Sequence, residues 1–383
     1  MLSLYLDSSD YSDLTNTKLL DKDPILSETL AYIRAAVVSK KIRVFFSSVH
    51  ISEMLPLNSE SVFLAKKKLA LLRELCGSNA LQSIVDIGKA EVRALNAGGI
   101  PPASIVDPRG RWLPTHEFSM SDCTTKANQK LRERGASREL RRKALPDLVR
   151  MYRESNAAKV AELLESGQIT CPPGLEQKFI SAAREHITWP QLNAAYYDAL
   201  NDFDSLASSI DNAPDFAASL RKIVRAASES NGRASRAMAE RVSLLPETEG
   251  EKRLGWRKWE EVIVREIVAT HFEKSGTVPA REFTFDEIKT ACPGIHSMVV
   301  TDWRFLAQAY FGGNQKGLSD SVYADTLHAM YAPYVDVFRA DSEMADHVRT
   351  AVEGRGTSVV GKLRKLVAEL KLRLEQSENN SHA

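Results

Sequence analysis

Four acids stand where they can share one piece of chemistry: Asp7, Glu53, Asp325 and Asp341. Asp7 directly follows an apolar, strand-like run, LSLYL, and Asp341 follows a second, YVDVFRA. Ligands of open parallel sheets bind at the carboxyl ends of strands, so acids at two such ends can meet. Glu53 falls in the first turns of the helix expected after another strand, IRVFF (42–46), and Asp325 falls early in the helix that feeds the last main strand. Four carboxylates converging on one edge repel each other unless a cation compensates them. Their oxygens suit a hard ion, Mg²⁺ or Mn²⁺. Such an ion activates water and stabilises charge building on a phosphoryl oxygen, and two ions about 3.5–4 Å apart clamp attacking and leaving oxygens together.

The residues around these acids each have a functional and an ordinary reading. Ser8, Ser9 and Ser48 could hold water or phosphate, but serine is common in loops and caps. His328 lies one turn from Asp325, and His50 one turn from Glu53; each suits contact with an acid or a phosphate, and equally a helix surface. Asp320 is most simply an N-cap, and Asp336, between Val335 and Val337, belongs on a polar strand face. Other chemistries lack their residues. There is no GxxxxGK[ST] or GxGxxG phosphate loop and no G-x-S-x-G nucleophile elbow. A phosphatase with Asp7 as nucleophile would want a second acid two residues on, where Ser9 stands.

The elements that must position the acids alternate in type. Strand LSLYL is followed by a helix over 24–39 with Pro24 near its start, strand IRVFF, a helix VHISEML with Ser48 as its N-cap, and a helix over about 60–75 stopped by Gly77. Strand and helix in alternation predict a parallel sheet. Residues 97–114 are rich in Gly and Pro and read as a linker, after which the signals are mostly helical to about 295. Near 297 the first pattern resumes: a helix SMVVTDWRFLAQAYF, a loop FGGNQKG, a helix over 321–332 ended by Pro333, strand 334–340, helix SEMADHVRTAV, an edge strand TSVVG and a charged helix over 362–377. The tail QSENNSHA reads as disordered. The expected fold is α/β, with a parallel-sheet domain in two pieces, 1–95 and 297–383, around a helical insertion, 96–296.

Composition narrows the setting. With 43% apolar and 26% charged residues, the 383-residue chain is ordinary for a folded protein. A net charge of +1 gives no global attraction to nucleic acid. Cys76, Cys123, Cys171 and Cys292 include no Cys-x-x-Cys pair, which argues against a cysteine-based zinc site and for a reducing compartment. The opening MLSLYLDSSD lacks the features of a signal peptide, and no stretch approaches a membrane span, so a cytoplasmic location is expected. One local patch departs from neutrality. Residues 126–153 hold ten Lys and Arg against three acids, densest at Arg132, Arg138, Arg141, Arg142 and Lys143. Such a segment can follow a phosphate backbone, although it can equally be a solvated helix face. Trp256 and Trp259, one turn apart, could stack bases but more often pack a core.

In their order, LYLDSS, FFSSVHISEM and ADTLHAMYAPYVDVFRADSEM resemble the PIN domain nucleases. That family has an aspartate after its first strand, a glutamate on an early helix, an aspartate opening a late helix and a last aspartate after the next strand. Asp7, Glu53, Asp325 and Asp341 match in that order, and Met344 matches the apolar residue typical three positions after the last. The resemblance covers under half of the chain and departs from compact members in the size of the insertion. It implies a Mg²⁺- or Mn²⁺-dependent nuclease, usually acting on RNA in preference to DNA, of a kind that bacteria use as toxins or in defence. It leaves room for an inhibitory protein partner and for a homo-oligomer, with no membrane partner. The alternative is a PIN-like scaffold that binds RNA or a protein without cutting.

Overall fold

The computed structural model describes residues 1–55, 61–102, 104–113, 118–120, 122–166, 168–169, 171–172, 174–202, 237, 249–311 and 322–381. Its centre is a four-stranded sheet in the order β2-β1-β3-β4, with β1 Leu2–Tyr5, β2 Ile42–Phe45, β3 Val337–Arg339 and β4 Ser358–Val360. All pairings are parallel: Leu2 stands opposite Ile42, Tyr5 opposite Phe45 and also Phe338, and Val337 opposite Ser358. Parallel strands are covered on both faces and so read as near-continuous apolar runs. Leu4, Tyr5, Val44, Val337 and Phe338 are accordingly buried. The N-terminal part of the chain thus supplies two neighbouring strands and the last part the other two, with a long, mostly helical insertion between them.

One polar device sets the register where the two parts meet. The half-buried Asp336 accepts hydrogen bonds at 2.7 Å from both the Ser3 backbone N–H and the Ser3 hydroxyl. The polar strand position expected for Asp336 is therefore used inside the sheet, to join β1 and β3.

The predicted elements are present with several differences. The N-cap of helix Ser48–Met54 is Ser47, and Ser48 is the first helical residue. The late helix is shorter than expected, Val322–His328, and continues as a 3-10 helix, Ala329–Tyr334, that contains Pro333. β3 spans only three residues of the predicted run 334–340. The last helix continues to Ser381 through most of the tail expected to be disordered. Of the expected loop FGGNQKG, Phe311 is the last residue of helix Pro293–Phe311, while 312–317 and the expected cap Asp320 lie outside the described residues.

The chain divides into two compact units: Met1–Leu55, Phe63–Pro114 and Arg221–Ala383 in one, Pro56–Val62 and Thr115–Leu220 in the other. The sheet unit includes helices Glu249–Ser275 and Phe285–Ala291, which lie within the stretch expected to be insertion. The reason is burial: Val264, Val268 and Phe272 recur every fourth residue and join the core with Ile87, Val92 and Ile295. Trp256 belongs to the sheet unit too and takes the core reading, tilted against Trp303 at 4.1 Å between ring centroids, with Trp259 packed alongside.

The second unit is helical: Cys123–Glu133, Arg138–Glu165, Glu176–Ala183 and Trp189–Asn201. Glu185 ties it together, accepting from the Cys123 N–H at 2.7 Å and pairing with Arg153 at 2.8 Å. Among the described residues, no helix is long and apolar enough to cross a membrane.

Candidate functional site

The site is built at the carboxyl edge of the sheet. β1 ends at Tyr5, and Asp7 then caps helix Ser8–Thr15, its carboxylate accepting from the Ser9 N–H at 3.3 Å and from the Ser9 hydroxyl. Asp10 completes the cap, accepting from the Asp7 N–H at 3.0 Å. Asp7 is thereby buried and locked. Helix Ser48–Met54, which follows β2, carries the half-buried Glu53 in its last turn. Asp325 is in the middle of helix Val322–His328, which precedes β3. Asp341 lies two residues past β3, accepting from the Glu343 N–H at 2.8 Å.

The electrostatics tie the four acids together. Burial pushes the Asp325 carboxyl up to about 8, and the charges of Glu53, Asp7 and Asp341 push the same way, with only His328 opposing them. Among the described residues, no side-chain or backbone donor bonds the Asp325 carboxylate. The ionised form of a half-buried acid that faces three other acids and one imidazole is a form that a divalent cation would stabilise. The donor set, all carboxylate oxygen, fits Mg²⁺ or Mn²⁺ in type. In position the fit is incomplete, because among the described residues no three His, Cys, Asp or Glu side chains form a group that could hold a metal ion.

His328 occupies the centre of the cluster and is buried. Its Nε2 lies 2.9 Å from Glu53 Oε2 and 3.3 Å from the Ser8 hydroxyl; its Nδ1 lies 2.6 Å from the Tyr5 hydroxyl. Burial works against charge on this ring, but the Glu53 hydrogen bond and the charges of Glu53, Asp7 and Asp325 outweigh it and raise its pKa. Ser8 and Glu53 share Nε2, whereas an activated serine needs its acid on the opposite nitrogen. The set Ser8–His328–Glu53 is therefore not a nucleophile triad.

Beyond Tyr5 the hydrogen-bonded chain continues inward. The Tyr5 hydroxyl meets Ser47 Oγ at 2.7 Å, and Ser47 N–H donates to His50 Nδ1 at 3.1 Å. His50 Nε2–H donates to the Leu6 carbonyl at 2.7 Å. Burial, with His328 nearby, lowers the His50 pKa well below its usual range, so this ring is neutral. Of the two readings open for His50, surface and ligand contact, neither is realised: it is a buried backbone brace. Ser48, expected as a cap or phosphate contact, is buried in the helix.

Two further members, Tyr5 and Arg339, are not among the residues expected at the site. Tyr5, inside an apolar run, stacks on Phe338 and Tyr331 while its hydroxyl serves His328. Arg339 pairs with Asp10 at 3.0 Å, both buried, directly beneath the Asp7 cap. An arginine inside VFRA was the available signal, since a buried arginine requires an acid partner.

The basic patch belongs to the helical unit. Arg132, Arg138, Arg142 and Lys143 are exposed and Arg141 is half-buried. Lys143 pairs with Glu139 at 2.9 Å, while the four arginines have no acid partner among the described residues.

Comparison of the chain with protein-family models, with curated proteins and with solved structures finds no significant match.

Proposed function

We propose that the protein is a metal-dependent nuclease that hydrolyses phosphodiester bonds, with RNA as substrate, as the PIN-like order of its acids implies. The observation that carries this reading is Asp325: a half-buried carboxyl with no hydrogen-bond donor among the described residues, raised to about 8 by burial and by Glu53, Asp7 and Asp341. Asp7, Asp325, Asp341 and Glu53 would hold Mg²⁺ or Mn²⁺ in this reading. When bound, such an ion supplies the positive charge that activates the attacking water and stabilises the phosphoryl group. Ser9 and the helix cap hold Asp7 in one orientation. His328 orients Glu53 and keeps a proton at Nε2 directed at it. In-line attack by water would leave a 5′-phosphate and a 3′-hydroxyl. The arginines at 132, 138, 141 and 142, which have no acid partner among the described residues, support nucleic acid as the partner, and the four free cysteines support a reducing, cytoplasmic setting.

The test is cleavage of labelled single-stranded RNA, structured RNA and single-stranded DNA with Mg²⁺, Mn²⁺ or EDTA, comparing wild type with Asp7→Asn and Asp325→Asn. Metal-dependent cutting lost in both variants supports the reading. A folded wild type that cuts nothing sinks it. One observation favours the second reading, a scaffold that binds RNA or a protein without cutting: Glu53 is engaged by His328, and no trio among the described residues is arranged to ligate a metal. That reading expects RNA binding indifferent to divalent ions.

A further inference from the structure

A groove of about 260 Å³ opens beside the last acid of the cluster. Ser342, the residue after Asp341, forms one wall, and the floor is the end of β4 with Gly361. β4 is the neighbour of β3, and adjacent strands lie about 4.8 Å apart, so the groove continues the carboxyl edge that carries Asp7 and Asp341. Gly361 is needed for this floor: a Cβ there would come within 2.9 Å of the Ala345 Cβ.

The charges of the groove are unequally matched. Arg349 is pinned in place, bonded to Asp346 and, at 3.3 Å, to the Val359 carbonyl. Glu369 is occupied by the Ser358 hydroxyl at 2.6 Å. Lys362 and Lys365 line the same groove, are exposed, and have no side-chain partner among the described residues. Both acids of the lining thus have hydrogen-bond partners, and the two lysine ammoniums have none among the described residues. A lysine ammonium is a compact point charge that takes phosphate without demanding a fixed fork of acceptors.

We propose that this groove binds a phosphate of the nucleic-acid strand adjacent to the one at the acid cluster, with Lys362 and Lys365 as its ligands. The inference rests on the nuclease reading and extends it: the acids repel a polyanion, and the lysines at the end of β4 hold the strand against that repulsion.

The experiment uses the full chain carrying Asp7→Asn, to prevent cutting. Binding of a fluorescent single-stranded RNA is followed by anisotropy across a salt series, with and without Lys362→Gln/Lys365→Gln. Each phosphate contact of a single strand contributes about 0.7 to the slope of log affinity against log salt. The double variant is expected to bind roughly ten-fold more weakly, with its slope reduced by about 0.7. A control, Lys18→Gln/Lys22→Gln, removes the same charge from an exposed helix of the same unit. Equal losses in both pairs overturn the groove, because only net charge is then at work. An unchanged slope in the Lys362/Lys365 pair, with RNA still bound by the parent and cut by wild type, overturns the groove alone. No binding by the parent and no cutting by wild type overturns both the groove and the nuclease reading.

Discussion

His328 Nε2 stands 2.9 Å from Glu53 Oε2, which joins residues 275 positions apart. The same ring reaches the Tyr5 hydroxyl through Nδ1. One imidazole therefore fixes an acid of the early part of the chain relative to the central strand, from a helix that the late part supplies. Replacing it should cost orientation more than substrate affinity. His328→Ala is predicted to lower the cleavage rate by about 10–100-fold, the usual effect of removing a group that orients a ligand. Loss of its buried hydrogen bonds should cost about 1–3 kcal/mol. Tyr5→Phe, which removes only the second contact, should lower the rate less. Single-turnover cleavage beside a thermal melt separates the two effects, and an unchanged rate in a folded His328→Ala variant would remove the positioning role.

The raised carboxyl of Asp325 gives a pH dependence of definite sign. Its pKa is about 8 folded against an ordinary value of 3.8 unfolded, so the native state holds a proton that the unfolded chain has released. Without divalent ions this stability is fully present below the unfolded value and is lost as pH rises through about 8. Asp325→Asn should flatten that loss. Stabilisation by Mn²⁺ should grow in the same interval, because the ion requires the deprotonated acid. Melts at about pH 6 and about pH 9, with Mn²⁺ or EDTA, read both trends; a larger Mn²⁺ shift at the lower pH would contradict them.

Beneath the site, Arg339 and Asp10 form a buried pair at 3.0 Å. Burial drives the Asp10 carboxyl up to about 7 even though Arg339 pulls it down. Arg339→Met and Asp10→Leu should each destabilise by about 3–5 kcal/mol, since each leaves its partner's charge without compensation in the interior. The double variant should be less destabilised than the sum of the two. Strictly additive losses in denaturant titrations would mean that the pair is not coupled.

Helix Pro293–Phe311 begins against another buried acid. Glu91 accepts from the backbone N–H groups of Gly294, at 2.5 Å, and Ile295, at 3.0 Å, and also bonds the Tyr334 hydroxyl. A Cβ at residue 294 would lie 2.8 Å from Glu91 Oε1 and 2.8 Å from the Met330 carbonyl. Gly294→Ala should therefore cost about 1–3 kcal/mol by overpacking, with the 3-10 helix after His328 displaced. A melting temperature within error of wild type would show that this junction gives way freely.

The sequence by itself determined the strands, the helix that follows β2 and the strand-end places of Asp7 and Asp341, because apolar runs and local caps are short-range properties; the helices Ser8–Thr15 and Thr17–Lys22 directly after β1 are not among the elements expected from it. It also separated an early from a late half of the sheet, since a strand period and a helix period differ within a few residues. Tertiary structure alone decided which side chains share the interior. Tyr5 looked like one more apolar strand residue until β1 lay between Ser47 and His328. The helix after Glu249 looked like part of the insertion until Val264, Val268 and Phe272 met the sheet unit's core. His50 and His328 have the same spacing from an acid on their own helices, yet one ring is neutral against a backbone carbonyl and the other faces acids. A histidine's charge and partner depend on groups brought close by folding, and adjacency along the chain does not encode that environment.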